Sequence, residues 1–205
     1  MLGQREEQKR RTRARILAAA RKLFDDPGYD LTTIRMIAAE AGVAVGSVFT
    51  TFESKEDVLI AITGELFDRV ASDLAGTFDA VGGTAREKAK IFFAEAFIAL
   101  SERLPLMMVH LSLAWRWSHA VEADRKAARL TRVFKIMTDA LADGVRSGEL
   151  PGDTDIPLLT DVLADIFIRN FRRAWFRELD PATLAALSAR QIDLVFDGAC
   201  ARRPG

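Results

Sequence analysis

The sequence predicts an all-α protein in which three short N-terminal helices precede a bundle of six longer helices. No segment shows the strict apolar–polar alternation of a half-buried strand. Helix-breaking glycines and prolines are confined to a few short stretches, and the segments between them are rich in Ala, Leu, Arg and Glu, which favour helices. The 205 residues suffice for a small domain joined to a medium one.

The first three helices are short and closely spaced. The first, over about 8–26, ends at Pro27-Gly28, and Thr32 is the expected N-cap of the second. The apolar residues of the second helix recur at helical spacing, at Ile34, Ile37, Ala38 and Ala41. Gly42 ends this helix because glycine adopts the left-handed conformation readily, and a third helix is expected over about 45–51.

The second and third helices have the spacing of a helix-turn-helix. The turn needs a residue that tolerates positive φ (Gly42), and the first helix needs a small residue where the second crosses it (Ala38). The second needs an apolar residue that points inward (Val48). The rest of the predicted small core is Ile37, Ala41 and Val43. An ordinary αα-hairpin also favours a glycine here, so the spacing by itself leaves both alternatives open.

Six longer helices follow the third. Ser54, with Asp57 three residues later, predicts a capping box at the start of the fourth helix. The expected boundaries are about 54–79, 84–103, 105–118, 119–147, 155–177 and 181–200. We expect an N-terminal domain over 1–55 and a second domain over 56–205, linked rigidly by the fourth helix.

Charge is distributed unevenly, although the formal net charge is zero. The first 24 residues contain eight Lys and Arg but only two acidic residues, Glu6 and Glu7. This asymmetry is typical of an arm that contacts DNA. A solvated tail that improves solubility is the alternative.

Residues 12–62 resemble the DNA-binding domain of the TetR family of transcriptional regulators. The agreement extends in order and without a gap over Ile16, Ala19, Ala20, Phe24, Gly28, Tyr29, Thr32, Ile37, Ala38, Ala41, Gly42, Val43, Gly46, Phe49, Phe52, Ser54, Lys55 and Leu59. A second segment, residues 146–176, is more weakly similar to the approach to the family's penultimate helix.

The resemblance implies that helix 45–51 lies in the major groove of double-stranded DNA. In that position Ser47 and the two following threonines would hydrogen-bond bases or phosphates, and a Thr methyl or Val45 would touch a thymine methyl. Thr33, Arg35 and Lys55 would hold phosphates, and the basic arm would follow the backbone or enter a minor groove. The implied contacts are Arg10, Arg11, Arg13, Thr33, Arg35, Val45, Gly46, Ser47, Phe49, Thr50, Thr51 and Lys55.

The recognition helix departs from the family pattern. The family often has a hydroxyl residue at Ala44 and a basic or polar residue at Val45, and it usually has Tyr at Phe49. It often has His or another ring at Thr50-Thr51. We therefore expect the arm, Arg35 and Lys55 to supply more of the affinity than usual, and DNA binding to be weak or unusually salt-sensitive.

The last two predicted helices carry more apolar residues than one core-facing stripe requires. By resemblance, they would pair with their copies in a four-helix homodimer interface. A dimer also suits two recognition helices that engage half-sites roughly 34–36 Å apart. A monomer with a thick core is the alternative.

The segment 84–147 is rich in Met and aromatic residues, which line adaptable apolar pockets and also fill ordinary cores. We predict an effector pocket for an apolar or aromatic small molecule, lined by Phe93, Phe97, Met107, Met108, His110, Leu111, Trp115, Phe134, Met137, Phe167 and Phe171. His110 is either a polar anchor for the ligand or a satisfied core histidine. Arg169 and Asn170 interrupt an apolar face, where they would orient an effector or pair within the interface.

Several classes of protein are not supported by the sequence. It has two histidines and one cysteine, and it lacks HExxH, Glu-x-x-His, paired cysteines, GxSxG and a phosphate-binding glycine loop. We therefore expect no enzyme, metal or cofactor. No apolar run approaches the roughly 18 residues of a membrane span, and the first 24 residues are too charged for a signal peptide. These features and the single cysteine predict a cytoplasmic protein that does not enter membranes.

The predicted function is that of a DNA-binding regulator. We expect a repressor that a small apolar or aromatic effector releases from a pseudo-palindromic operator. The alternative is a ligand-binding or interaction protein of the same fold whose DNA binding is weak or lost.

Overall fold

The computed structural model describes the backbone of residues 3–116 and 123–201, and the side chains of residues 3–113 and 134–200. These ranges form nine α-helices and contain no β-strand, which confirms the all-α prediction. The helices are α1 (Gln4–Leu23), α2 (Ile34–Ala41), α3 (Val45–Phe49), α4 (Lys55–Val81), α5 (Ala85–Ser101), α6 (Leu104–Arg116), α7 (Ala123–Arg146), α8 (Ile156–Arg177) and α9 (Pro181–Ala201).

The described residues fall into two compact units. The head unit lies within Met1–Glu65 and Val109–Ala123, and the body unit lies within Leu66–Met108 and Asp124–Gly205. The three limits between the units therefore fall inside helices, within α4, within α6 and after the first residue of α7. The functional boundary expected between residues 55 and 56 stays a prediction.

The segment between α1 and α2 differs from the sequence prediction. Helix α1 ends at Leu23, and an irregular turn, Phe24–Gly28, follows it, with extended backbone at Asp26. The predicted N-cap, Thr32, was wrong. Its buried hydroxyl donates to the carbonyls of Leu23 (2.9 Å) and Gly28 (2.7 Å) instead. The N-cap is Thr33, whose Oγ1 accepts a hydrogen bond from the Met36 amide at 3.2 Å. The two threonines therefore have different roles. Thr32 satisfies carbonyls left by the preceding turn, and Thr33 satisfies an amide of the next helix.

The helix-turn-helix packs as its spacing predicts. Ile37, Ala38 and Val48 are almost fully buried, and Gly42 ends α2 in the left-handed conformation, with φ 61°. The Arg15 guanidinium reaches across from α1 and donates to the Gly42 carbonyl at 2.8 Å. This contact ties the turn to the helix that supports it.

Side-chain hydrogen bonds cap the first turn of α4 in the head unit and of α5 in the body unit. The Asp57 amide donates to Ser54 Oγ at 3.1 Å, which is the bond expected of an N-cap serine, and the Ser54 hydroxyl donates to the Asp57 carboxylate at 2.8 Å. Thr84 and Glu87 form a complete capping box at the start of α5. The Glu149 carboxylate also accepts hydrogen bonds from the amides at the first turn of α5, those of Ala85 (2.6 Å) and Arg86 (3.0 Å).

Helices α5 and α9 form the most extensive helix pair of the body unit. Helix α5 buries alanines that permit close approach, at positions 85, 89 and 96, while α9 buries a row at four-residue spacing: Leu184, Ser188, Ile192 and Phe196. Ion pairs flank the contact, because Asp193 meets Lys90 at 2.6 Å and Arg86 at 3.5 Å. The hydrogen bond from Lys90 lowers the pKa of the Asp193 carboxyl. Small residues, an apolar row and flanking charges therefore fix this pair.

Candidate nucleic-acid interface and effector-binding region

Helix α3 has an inward and an outward side. Val48 is fully buried in the head unit, whereas Val45 is 38% exposed and Phe49 is 54% exposed. Gly46 and Thr50 are exposed with them, and Ser47 is half-buried. The structure thus brings the expected recognition residues onto one accessible face, and their contact with DNA stays a prediction.

Within the described residues, neither the backbone conformation of Gly46 nor the packing around it requires a glycine. Its backbone is helical, and a Cβ built on it would meet no heavy atom within 4 Å. A helix interior favours alanine over glycine by roughly 0.5–1 kcal/mol. A glycine with open space in front of it is therefore consistent with close approach of an external molecule to the backbone.

The two threonines after α3 direct their hydroxyls to the helix. Thr50 Oγ1 lies 3.1 Å from the Gly46 carbonyl oxygen and 3.0 Å from that of Ser47, and Thr51 Oγ1 donates to the Ser47 carbonyl at 2.8 Å. Each hydroxyl has a single hydrogen, so only its lone pairs remain for an external partner. Hydrogen-bond donation by these threonines to bases or phosphates would require breaking these bonds.

Thr33 and Arg35 lie at the start of α2, and both are exposed. The Thr33 oxygen already caps the Met36 amide, while no hydrogen bond or ion pair is recorded for Arg35 within the described residues. The Arg35 guanidinium is therefore available for a phosphate, as the resemblance implies.

Lys55 has an internal role that the sequence did not indicate. Its ammonium donates to the carbonyls of Tyr29 (2.8 Å) and Thr32 (2.9 Å), with that of Asp30 at 3.5 Å. It also lies 4.2 Å from the centre of the Tyr29 ring. Burial raises the pKa of the Tyr29 hydroxyl, so that ring stays neutral. Because an ammonium has three hydrogens, these contacts engage Lys55 fully, and its phosphate contact stays a prediction.

The basic arm is partly neutralised within the head unit. Arg11 pairs with Glu7 at 3.0 Å, and the Arg13 guanidinium lies 4.7 Å from the centre of the Phe52 ring. For Arg10, within the part of the chain that the structure describes, no such partner is recorded. A groove beside α1 is lined by Glu7, Arg10, Arg11, Arg13, Ala14, Leu17 and Glu65. The arm therefore presents its positive charge next to Glu7 rather than as a free tail.

The interior of the body unit holds most of the predicted effector residues. Phe97 and Phe167 stack with ring centres 4.8 Å apart, and the other ring pairs of the cluster are 5.3–6.3 Å apart. The cluster, called the phenylalanine cluster below, consists of Phe92, Phe93, Phe97, Phe134, Phe167 and Phe171. Met107 and Met137 are buried in the same unit, and Met108 is half-buried.

Phe92 was missing from the predicted pocket. It is fully buried and lies 5.5 Å from Phe134 and 5.9 Å from both Phe93 and Phe167, measured between ring centres. Phe92 lies three residues after Ala89 and four before Ala96, both buried, and this helical spacing was the signal that could have placed it inside.

The other three predicted pocket residues are not among the described side chains of the body unit. His110 and Leu111 belong to the head unit, and the side chain of Trp115 is outside the described residues. His110 is buried, and its Nδ1 lies 2.9 Å from Thr63 Oγ1. Thr63 Oγ1 also lies 3.0 Å from the Leu59 carbonyl oxygen, and the tautomer of His110 sets which of Nδ1 and Oγ1 donates to the other. His110 therefore has a satisfied hydrogen bond in its core position, and its contact with a ligand stays a prediction.

Helices α8 and α9 leave large apolar side chains uncovered. Phe176 is 69% exposed and Leu194 is 74% exposed, and Leu158 is also exposed. Asn170 does not belong to this exposed set. It is fully buried and donates to Ser188 Oγ at 2.8 Å and to Gln191 Oε1 at 2.6 Å. Of the two polar residues that interrupt the apolar face, Asn170 therefore joins α8 to α9 within the chain, and Arg169 is exposed.

The described residues form neither a cluster of metal ligands nor a membrane-spanning helix. No group of three or more His, Cys, Asp or Glu side chains in this part of the chain is arranged to hold a metal ion. None of the helices described is both long and apolar enough to cross a bilayer.

Comparison with known proteins matches the head unit to one family. Residues 16–62 fit the model of the family described as bacterial regulatory proteins, tetR family. Two relatives match over most of the chain. The fatty acid metabolism regulator protein of Bacillus subtilis (strain 168) is 26% identical over 196 residues, which are 94% of this chain and 97% of that protein. The HTH-type transcriptional repressor KstR2 of Mycolicibacterium smegmatis is 26% identical over 189 residues, which are 91% of this chain and 89% of that protein.

A solved structure extends the likeness to both units. Thermus thermophilus FadR, a TetR-family transcriptional repressor in complex with lauroyl-CoA, superposes with a TM-score of 0.73. The match covers 94% of this chain and 99% of that one at 22% identity. At this identity the likeness shows the fold, which is shared from the helix-turn-helix to the last helix.

Proposed function

The chain belongs to the TetR family of bacterial transcriptional regulators, and from that premise we propose that its effector is a fatty acyl-coenzyme A thioester. As a member of this family it is a dimeric, ligand-responsive repressor that binds a DNA operator. It acts in the cytoplasm, where bacterial DNA lies.

The DNA-binding part of the proposal rests on one observation, the exposed face of α3. Val48 anchors α3 from inside, so Val45, Gly46 and Phe49 are free to enter a major groove. Arg35 and Arg10 supply the phosphate contacts, because no internal partner is recorded for either in the described residues. In this arrangement the helix reads bases while the flanking cations hold the backbone.

The effector assignment is supported by relatives and by the chemistry of the body unit. The Bacillus subtilis relative is named for fatty acid metabolism, and the Thermus thermophilus protein is complexed with lauroyl-CoA. In this chain, the phenylalanine cluster offers an apolar interior that suits an acyl tail. Its rings are in contact, so a tail that enters between them must displace rings and the helices α5, α7 and α8 that carry them.

Helix α4 is the element through which such a displacement would reach the DNA-binding face. It is continuous from Lys55 to Val81, so its first turns belong to the head unit and its last turns to the body unit. Its first turn is joined to the segment before α2 by the contacts of Lys55 with the carbonyls of Tyr29 and Thr32. A shift of α4 would therefore move the recognition helix and lower operator affinity.

The test is operator binding with and without acyl thioesters. A labelled duplex from the DNA upstream of the gene is titrated with the full-length protein, and fluorescence polarisation is recorded. We expect specific binding that weakens steeply between about 50 and about 200 mM salt. Lauroyl-CoA should lower the affinity by about 5–150-fold, the usual range of allosteric coupling. Coenzyme A alone should leave it unchanged, because it lacks the acyl tail.

Each part of the proposal has a result that contradicts it. A protein that binds no duplex would contradict DNA binding. Lauroyl-CoA that does not bind would contradict the effector class. Lauroyl-CoA that raises the thermal midpoint but leaves operator affinity unchanged would contradict transmission through α4.

A further inference from the structure

The recognition helix presents an apolar outer face. From Val45 to Thr51 the chain contains no charged and no amide side chain. The two large side chains that reach outward are Val45, 38% exposed, and Phe49, 54% exposed. About half of Phe49 is exposed at the end of this five-residue helix, so that surface is available to an external partner.

Hydrogen-bond donors are scarce on the same face. Thr50 and Thr51 direct their hydroxyl hydrogens to the carbonyls of Gly46 and Ser47. Ser47 is half-buried. Among the hydroxyls of Ser47, Thr50 and Thr51, that of Ser47 forms no hydrogen bond to a backbone carbonyl within the described residues. The bidentate pairs that specify guanine or adenine require Arg, Lys, Asn or Gln, and α3 supplies none of these.

We infer that α3 reads DNA mainly through the C5-methyl groups of thymine, with Val45 and Phe49 as the specificity-determining residues. The thymine methyl is the apolar group that a base pair presents in the major groove, and it is matched by apolar side chains. Gly46 lies between the two residues, and its open side lets the α3 backbone come close enough for these short contacts. The inference rests on the proposed DNA binding and adds the chemical feature of the operator that is recognised.

The inference makes a specific statement about the operator. Each half-site contains one or more thymines whose methyl groups meet Val45 or Phe49, and replacing those thymines by uracil weakens binding although base pairing is unchanged. Burying one methyl group stabilises a complex by about 4-fold in binding constant. The symmetric pair of replacements in both half-sites should therefore weaken binding by about 15-fold.

The experiment uses duplexes selected from a randomised library with the full-length dimer. In the selected operator, each thymine is replaced by uracil in turn, and affinities are compared by fluorescence polarisation. We expect a few sensitive thymines in each half-site. In Val45→Ala and Phe49→Ala, these positions should lose their sensitivity, because the side chain that met the methyl is gone.

Two controls separate this effect from altered folding. Val81→Ala removes the same atoms as Val45→Ala from an exposed valine at the end of α4, and it should keep the full penalty of uracil. Phe49→Leu retains an apolar side chain at the position and should keep part of that penalty even if Phe49→Ala proves unstable. Thermal midpoints of all variants are measured alongside.

The outcomes distinguish the inference from the proposed function. A protein that selects an operator but binds its uracil form equally well would overturn methyl readout and leave DNA binding intact. A penalty that persists in both alanine variants would overturn the assignment to Val45 and Phe49. Failure to select any duplex would overturn the proposed DNA binding itself.

Discussion

Gly42 and Gly46 lie four residues apart, and they are glycines for different reasons. Gly42 has a φ of 61°, and a Cβ there would lie 2.7 Å from the Arg15 guanidinium. Gly46 is helical, with open space where a Cβ would lie. The first glycine is thus required by the turn, while the open space at the second is consistent with close approach of a partner outside the chain.

Alanine substitutions should separate these two roles. Gly42→Ala places a side chain in the left-handed region and should cost roughly 1–2 kcal/mol of stability. Gly46→Ala should add about 0.5–1 kcal/mol of stability through helix propensity, yet weaken operator binding by at least about 10-fold, because the Cβ holds the backbone away from the bases. Chemical denaturation and fluorescence polarisation measure the two quantities. Unchanged DNA affinity in Gly46→Ala would contradict the close approach.

Lys55 offers a second test at the residue scale. Lys55→Met removes hydrogen bonds to the carbonyls of Tyr29 and Thr32 and should cost about 1–2 kcal/mol of stability. Lys9→Met, which loses only an exposed ion pair with Glu6, serves as its control and should stay within about 0.5 kcal/mol of the wild type.

The salt dependence of DNA binding shows whether Lys55 also contacts phosphate. If it does, Lys55→Met lowers the slope of log affinity against log salt by about 0.9 per contact. If Lys55 instead only holds the segment before α2, Lys55→Met lowers the DNA affinity but leaves the slope of log affinity against log salt unchanged. A variant as stable as the wild type would contradict the structural role.

At the scale of helices, α8 and α9 are joined by a buried polar cluster. Asn170 contacts Ser188 and Gln191 of α9 and accepts a hydrogen bond from Arg173 at 3.3 Å. Asn170 and Ser188 are both fully buried. Because such groups are costly to leave unsatisfied, the cluster fixes the register of the two helices as well as their contact.

Asn170→Ala tests this cluster. It leaves Ser188 without its partner and should lower the free energy of unfolding by about 2–3 kcal/mol. Arg169→Ala changes the exposed neighbour on the same helix and should stay within about 0.5 kcal/mol of the wild type. Urea denaturation followed by circular dichroism gives both values. Equal losses of unfolding free energy in Asn170→Ala and Arg169→Ala would show that the buried polar cluster stabilises the protein no more than an exposed side chain does.

For the whole molecule, the uncovered apolar side chains of α8 and α9 are where we place the dimer contact. Phe176 and Leu194 are largely exposed in one chain, and side chains of this size gain about 1.5–3 kcal/mol each when fully buried. A dimer is also what two half-sites of an operator require. DNA affinity should therefore depend on dimerisation through these two helices.

Introducing charge at this surface should separate the dimer. The double variant Phe176→Asp and Leu194→Asp should sediment as a folded monomer, because both side chains are exposed in the single chain. It should bind the operator at least about 100-fold more weakly than the wild type, since each head then binds alone. Ile98→Asp, which charges an exposed position on α5, should remain a dimer. A double variant that stays dimeric would place the interface elsewhere.

The sequence by itself determined the helices, the helix-turn-helix and the family, because these depend on local signals. Apolar spacing, capping residues and Gly42 act within a few residues of each other, so the bounds of most helices and the Ser54–Asp57 cap agree with the structure. Such local signals do not decide which residue of the Thr32-Thr33 dipeptide is the N-cap. Either residue can cap a helix, and the carbonyls that engage Thr32 come from the preceding turn.

Only the tertiary structure decided which partners the long or buried side chains contact. The ammonium of Lys55 binds carbonyls 23 to 26 residues away, and Phe92 meets rings from α7 and α8. His110, one of the predicted effector residues, lies in the head unit, where its Nδ1 is 2.9 Å from Thr63 Oγ1, 47 residues away in sequence. Such contacts join residues far apart in sequence, and the energy that selects them comes from burial and packing, which no local pattern records.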